Sequence, residues 1–172
     1  MENGADPSDQ LMTPNERKTL DDALSFARSN RKSIAKRLTD KSIYLPEEAP
    51  VSVYMAGSPG AGKTEASIAL VNLFADSKIL RIDPDELRGE FAAYTGGNSW
   101  LFQRGVSILV EKIVDLAMEQ RQSFLLDGTF SNIEVARKKR RTLLEKRKIR
   151  PDIVCLPRSN ACVGLRQSPR GS

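Results

Sequence analysis

Hydrophobic and polar positions follow two different periods along this chain, and the change falls near residue 51. Ahead of it, Leu20, Ala23, Leu24 and Ala27 recur at intervals of three and four, which is one face of a helix. Thr13-Pro14-Asn15-Glu16 supplies a helix start: a hydroxyl for the cap, proline at the first helical position, and a glutamate to close a capping box. Ile34, Ala35 and Leu38 mark a second short helix over 30–38, so the pattern predicts two amino-terminal helices. Residues 1–12 read as a disordered start, and Leu45-Pro46-Glu47-Glu48-Ala49-Pro50 as the linker that ends a helical segment spanning 13–50.

Past that linker, short apolar runs alternate with longer helical stretches. Strands are predicted over 51–56, 78–82, 123–127 and 152–154, and helices over 63–74, 84–93, 99–120 and 133–148. Strands separated by helices pair in parallel through right-handed crossovers, which predicts an α/β three-layer sandwich of the P-loop NTPase kind over 51–154. The remaining stretch, 155–172, has no period and carries two prolines and two glycines. It reads as an aberrant or disordered tail, with the carboxyl-terminal part of the fold incomplete.

Composition narrows the chemistry. The 172 residues include no histidine, so proton transfer falls to Asp, Glu, Lys or Tyr. Two cysteines, Cys155 and Cys162, provide neither a zinc site nor a disulfide framework. A bound metal would be a hard cation on oxygen ligands, which points to magnesium. The start Met1-Glu2-Asn3-Gly4-Ala5-Asp6 is polar and acidic, and no apolar run approaches the roughly 20 residues of a membrane span. The expectation is a cytoplasmic protein with no membrane partner. The net charge of +5 draws much of its excess from Arg158, Arg166 and Arg170 in the tail. The other basic run, Arg137-Lys138-Lys139-Arg140-Arg141, falls in a predicted helix and reads as a solvated face, which argues against a nucleic-acid partner.

Between the first strand and its helix stands Gly57-Ser58-Pro59-Gly60-Ala61-Gly62-Lys63-Thr64, a match to G-x-x-x-x-G-K-[ST] at every fixed position. The glycines allow backbone N–H groups to approach phosphate oxygens, and the helix that follows aims its positive end at them. Lys63 is placed for the β and γ phosphates and the Thr64 hydroxyl for magnesium. The strand–loop–helix context makes binding of ATP with magnesium the expected chemistry.

A phosphoryl-transfer site also needs a group to orient the acceptor and take its proton. Acids at the carboxyl ends of parallel strands lie where such groups collect. Two predicted strands end that way, in Ile82-Asp83-Pro84-Asp85-Glu86 and in Leu126-Asp127-Gly128-Thr129. Asp83 has a structural reading as helix cap, with Pro84 at the first helical position and Glu86 closing a box, balanced against a catalytic one. Asp85 then falls in the first turn, where an acceptor would approach, and is the preferred base. Asp127 also fits the magnesium-associated aspartate that follows an apolar strand in many such proteins.

Taken together these residues resemble the zeta toxin family, whose characterised members are UDP-N-acetylglucosamine kinases. The resemblance rests on Met55 through Glu65, on Ile82-Asp83-Pro84-Asp85 and on Asp127-Gly128-Thr129, over roughly 51–154. It implies transfer of the ATP γ-phosphate to the 3′ hydroxyl of the amino sugar, with Asp85 as the base. It implies that Asp127 and Thr129 hold the sugar nucleotide, Asp127 standing one carbon shorter than the family's glutamate. A helix glutamate that contacts substrate in the family matches Glu111, for which an exposed helix residue is the competing reading. An antitoxin protein enters as a candidate partner, since some members are held inactive by one.

Beyond the fourth strand the chain departs from the family pattern, which continues into a helix with arginines that grip the triphosphate. One choice of codons for the tail, read one base out of frame, spells V-Y-Q-D-P-M-L-A-W-A-Y-V-K-A-R-E-A, close to that missing segment. The expectation is a frameshift near Cys155 and a truncated product. Three functions therefore compete: a kinase of the zeta toxin type, a truncated fragment that binds ATP without transfer, and a polynucleotide kinase resting on the Arg137–Arg141 run.

Overall fold

The computed structural model describes residues 12–55, 78–127 and 153–156. The phosphate-loop motif, the predicted helices over 63–74 and 133–148, Thr129, the basic run, the first eleven residues and 157–172 lie outside the described residues.

Helix α1 spans Pro14–Leu38. Thr13 caps it as the sequence predicts: its Oγ1 accepts the Glu16 N–H at 3.3 Å, and Glu16 Oε2 accepts the Thr13 N–H at 2.8 Å. The expected division into two amino-terminal helices is corrected, because α1 runs unbroken through the Ser29-Asn30 step. No glycine or proline interrupts that step, and Asn30 Nδ2 donates back to the Phe26 carbonyl within the helix at 2.9 Å. One apolar stripe, Leu20 through Ala35, is thus carried by one rigid element.

After α1 come β1 (Ser52–Met55), β2 (Leu80–Ile82), the single turn α2 (Pro84–Leu87) with a 3₁₀ turn at Arg88–Glu90, then α3 (Ser99–Glu119), β3 (Phe124–Asp127) and β4 (Ile153–Leu156). The helix predicted over 84–93 is therefore shorter and tightens at its end. β4 takes in Cys155 and Leu156, which the sequence reading assigns to the aberrant tail. All pairings are parallel and the strand order is β2-β3-β1-β4. The fold is α/β with a parallel sheet, as expected from alternating elements.

The register sorts the side chains by face. Tyr54, Leu80, Ile82, Phe124 and Leu126 join one core with α1 and α3. Val53 and Leu125 alternate with them and are buried too, so β1 and β3 bury apolar side chains on both faces, whereas β2 carries Arg81 on that second face. α3 packs along α1, with Ala23 and Ala27 buried on one side and Gly105 on the other. A Cβ at Gly105 would stand 2.9 Å from Phe91 Cζ and 3.4 Å from the Ala23 carbonyl oxygen, so any larger residue would have to displace the Phe91 ring.

The turn from α3 into β3 anchors the segment that follows α1. Arg121 takes φ +58°, the left-handed position that ends a helix, with Gln122 N–H on the Ala117 carbonyl at 2.9 Å and Arg121 N–H on Met118 at 3.2 Å. Arg121 Nε donates to the Glu47 carbonyl at 3.0 Å and Nη2 to the Glu48 carbonyl. Gln122, 1% exposed, donates through Nε2 to the carbonyls of Tyr44 at 2.7 Å and Thr39 at 3.1 Å. The 39–50 stretch is thereby pinned to the amino edge of the sheet, leaving the opposite, carboxyl edge for the acids.

Candidate functional site

Asp127 is the last residue of β3 and stands in register with Met55, the last residue of β1. Met55 leads, two residues on in sequence, to Gly57, where the phosphate-loop motif begins. Ile82 closes β2 opposite Leu126, which puts Asp83 at the same level as Asp127 on the neighbouring strand. Asp83 and Asp127 therefore meet at the carboxyl edge, beside the strand that feeds the glycine-rich segment. In a parallel α/β sheet this edge is where ligands bind.

Asp83 does cap α2: its Oδ1 accepts the Asp85 N–H at 2.8 Å, and Pro84 takes the first helical position. Glu86 does not close the expected box. It turns to Arg81, whose Nη1 donates to Glu86 Oε1 at 2.6 Å. A guanidinium two residues before the cap outcompetes a backbone N–H for this carboxylate, because the bond has charge on both partners.

Arg81 is the residue that sequence reasoning passed over. Its Nη2 donates to Asp83 Oδ2 at 2.5 Å and to Asp127 Oδ2 at 3.2 Å. Burial pushes this guanidinium toward neutrality, but the bond to Glu86, the charges of Asp83 and Glu86 and the bond to Asp127 outweigh it and raise its pKa above the ordinary arginine value. The signal was present: a lone cation inside the apolar run Ile79-Leu80-Arg81-Ile82, two residues before an acid, demands a buried counter-charge.

Asp85 sits on the exposed side of α2, its side chain 77% accessible, and Arg88 Nη1 donates to its Oδ1 at 2.5 Å. Arg88 is itself tucked against α3, with Nη2 on Gln103 Oε1 at 3.3 Å. This pair was also missed, although the spacing of three along a helix is the ordinary one for an ion pair. Glu111 lies on the exposed face of α3, eight residues and about 12 Å of helix axis beyond Gln103.

The structure thus brings Asp83, Asp85 and Asp127 to one edge under two arginines. Lys63, Thr64, the rest of the Gly57–Thr64 motif and Thr129 lie outside the described residues. Among the described residues no group of three or more acidic, cysteine or histidine ligands converges as a metal cage. A small cleft of about 150 Å³ between Leu38, Leu87, Ile113 and the 83–90 turn is below the size that holds a nucleotide. No helix among the described residues is long and apolar enough to cross a membrane.

Comparison with known proteins adds to this geometry. No curated protein sequence matches the chain. Among solved structures, one from the PezAT chromosomal toxin–antitoxin system of the human pathogen Streptococcus pneumoniae matches with a TM-score of 0.56 at 22% identity. The match covers 85% of this chain and 58% of that one, so this chain spans less than two thirds of its length. At that identity the likeness speaks for the fold. The profile of a protein family described as zeta toxin matches residues 34–158, well over half of the sequence. The chain belongs to the zeta toxin family.

Proposed function

We propose that this chain is an ATP-dependent kinase that phosphorylates a hydroxyl of a sugar nucleotide, the 3′ hydroxyl of UDP-N-acetylglucosamine being the acceptor that the family resemblance implies. The observation that carries the reading is the meeting of Asp83 and Asp127 at the carboxyl edge, beside the strand that leads into Gly57–Thr64.

In this reading the backbone of Gly57, Ser58, Pro59, Gly60, Ala61 and Gly62 cradles the phosphates, and Lys63 reaches the β and γ groups. Magnesium, held by the Thr64 hydroxyl and phosphate oxygens, would neutralise charge on the transferring group. Asp127 and Thr129 hold the sugar nucleotide, with Glu111 as a further contact from α3. Asp85 is the base. Its Oδ1 is kept by Arg88, and Oδ2 takes the proton of the acceptor hydroxyl as that oxygen bonds to the γ phosphorus. The bond from the γ phosphorus to the bridging oxygen breaks and ADP leaves. Asp83 acts through Asp85, by fixing the turn that carries it. A cytoplasmic ATP supply is the donor this chemistry requires, and an antitoxin protein is the proposed partner, because the similar Streptococcus pneumoniae structure comes from a toxin–antitoxin system.

The test is γ-phosphate transfer from magnesium-ATP to UDP-N-acetylglucosamine by the chain and by Asp85→Ala. Transfer by the first and its loss in the second is the expected result. ATP binding without transfer by either would replace the kinase reading with nucleotide binding alone. Salt-dependent retention on nucleic acid, with transfer to a polynucleotide end, would favour the Arg137–Arg141 run as an acceptor surface instead.

A further inference from the structure

Arg81 joins two strands and one helical turn through a single side chain. Nη2 is shared between Asp83 Oδ2 at 2.5 Å and Asp127 Oδ2 at 3.2 Å, while Nη1 takes Glu86 at 2.6 Å. The inner carboxylates are well covered, with Asp127 at 8% and Asp83 at 15% side-chain exposure, whereas Glu86 is 69% exposed. The outer link is thus the weak one, screened by water. The inner two form a continuous path: Asp127 to Arg81, Arg81 to Asp83, and Asp83 Oδ1 to the backbone N–H of Asp85.

Two carboxylates at adjacent strand ends repel each other, and without a cation between them they would turn apart. The planar guanidinium holds both, and its second nitrogen fixes its own orientation through Glu86. A lysine would carry the charge without the fork, so it could not present two fixed nitrogens to Asp83, Asp127 and Glu86.

We propose that Arg81 is a positioning residue that sets the separation between the carboxylate of Asp127 and the turn bearing Asp85, so that events at one strand end reach the other. Resting on the reading of Asp127 as acceptor-binding and Asp85 as base, this makes capture of the acceptor and removal of its proton depend on one guanidinium. Arg81 need touch neither substrate to do so.

The experiment uses the full chain labelled with ¹⁵N and follows the amide resonance of Asp85, whose N–H rests on Asp83. Asp127→Asn is introduced into the natural sequence and into Arg81→Met. The expected result is that Asp127→Asn displaces the Asp85 resonance in the natural background and leaves it in place when Arg81 is replaced. Equal displacement in both backgrounds, or none in the natural one, would overturn the proposal. Should Arg81→Met not fold, Arg81→Lys serves in its place, because lysine keeps the charge and loses the fork. In the transfer assay, Arg81→Met lowers kcat on the order of 10²-fold and raises KM for the acceptor while leaving KM for ATP unchanged. An unchanged acceptor KM with unchanged kcat counts against it. Absence of transfer by the unsubstituted chain would sink the kinase reading alone, since the resonance test needs no activity.

Discussion

Asp83 accepts the backbone N–H of Asp85 at 2.8 Å on one carboxylate oxygen and holds Arg81 with the other. The helix cap that the sequence allows for Asp83 and an ion pair that it does not announce are thus made by the same carboxyl group. The consequence is a division of labour between residues two apart. Asp83 is well covered and structurally committed, while Asp85 projects into solvent with Arg88 beside it.

That division predicts different penalties. Asp85→Asn removes the proposed base and should lower transfer by about 10²–10⁴-fold, with ATP affinity and melting temperature unchanged because the side chain is exposed. Asp83→Asn keeps a capping oxygen but loses the charge that holds Arg81. Asp83→Ala loses both, and the cap alone costs about 1 kcal/mol. Transfer rates should rank Asp83→Asn above Asp83→Ala, with stability falling in both and further in the latter. Equal stability in all three variants would mean that the cap contributes nothing.

Gly105 predicts a stability effect far from the acids. Alanine there would gain about 1 kcal/mol of helix propensity. Against that, its Cβ would press on a Phe91 ring already held between Phe26 and Phe102, each at 5.3 Å. Overpacking of that kind costs about 1–3 kcal/mol, so Gly105→Ala should be net destabilising. Thermal unfolding should show a melting point lower by about 2–4 °C. Adding Phe91→Leu, which shortens the obstructing side chain, should recover part of the loss.

Much of this architecture was legible because periodicity reports burial directly. The strands at Val53-Tyr54 and Phe124-Leu125-Leu126 and the stripe of α3 follow from apolar spacing alone, and α3 ends one residue from its predicted limit. The continuity of α1 was not legible. Ser29 and Asn30 favour caps in isolation, while burial of Leu20 to Ala27 and of Ile34 and Ala35 in the core shared with α3 favours one helix. The acids could be found because strand-end position and motif spacing name them. Arg81 could not be assigned the same way, since its partners depend on register between strands that are distant in sequence, whereas Arg88, three residues from Asp85, lay within reach of helix spacing. Arg81 meets Asp127 across 46 residues, a relation no local pattern encodes.

Gln122 carries a third prediction, on the joint between the 39–50 stretch and the sheet. All three groups that meet its Nε2, the carbonyls of Thr39 and Tyr44 and the Gln120 Oε1, are acceptors, so the amide must present its nitrogen there. Gln122→Leu fills the space and leaves two carbonyls without a donor, at about 1–3 kcal/mol for each buried group left unpaired. Denaturant unfolding should show a loss of about 2–6 kcal/mol, with the acceptor KM unchanged. Ser123→Ala, whose hydroxyl links Glu47 at 2.7 Å and Val51 N–H at 3.0 Å, should cost less, since those partners reach water more readily.

The cap of α1 sets a pH dependence whose sign can be derived. The Thr13 backbone N–H and then its hydroxyl, both 2.8 Å from Glu16 Oε2, lower the Glu16 pKa in the folded chain below its ordinary value. The unfolded chain then binds more protons than the folded one in the interval between the two values, so stability rises with pH across it. The contribution is fully present above the unfolded glutamate value of about 4.3 and is lost as pH falls through the lower, folded value. Asp40 follows the same rule, lowered by the backbone N–H and then the hydroxyl of Ser42. Glu16→Gln retains an oxygen for the Thr13 N–H and does not titrate. Its melting point should therefore lie below that of the natural chain at neutral pH, with the gap closing as the solution is acidified past the glutamate range. A gap that stayed constant through that range would show that the carboxylate's charge adds nothing to the box, and that the hydroxyl cap of Thr13 alone begins the helix.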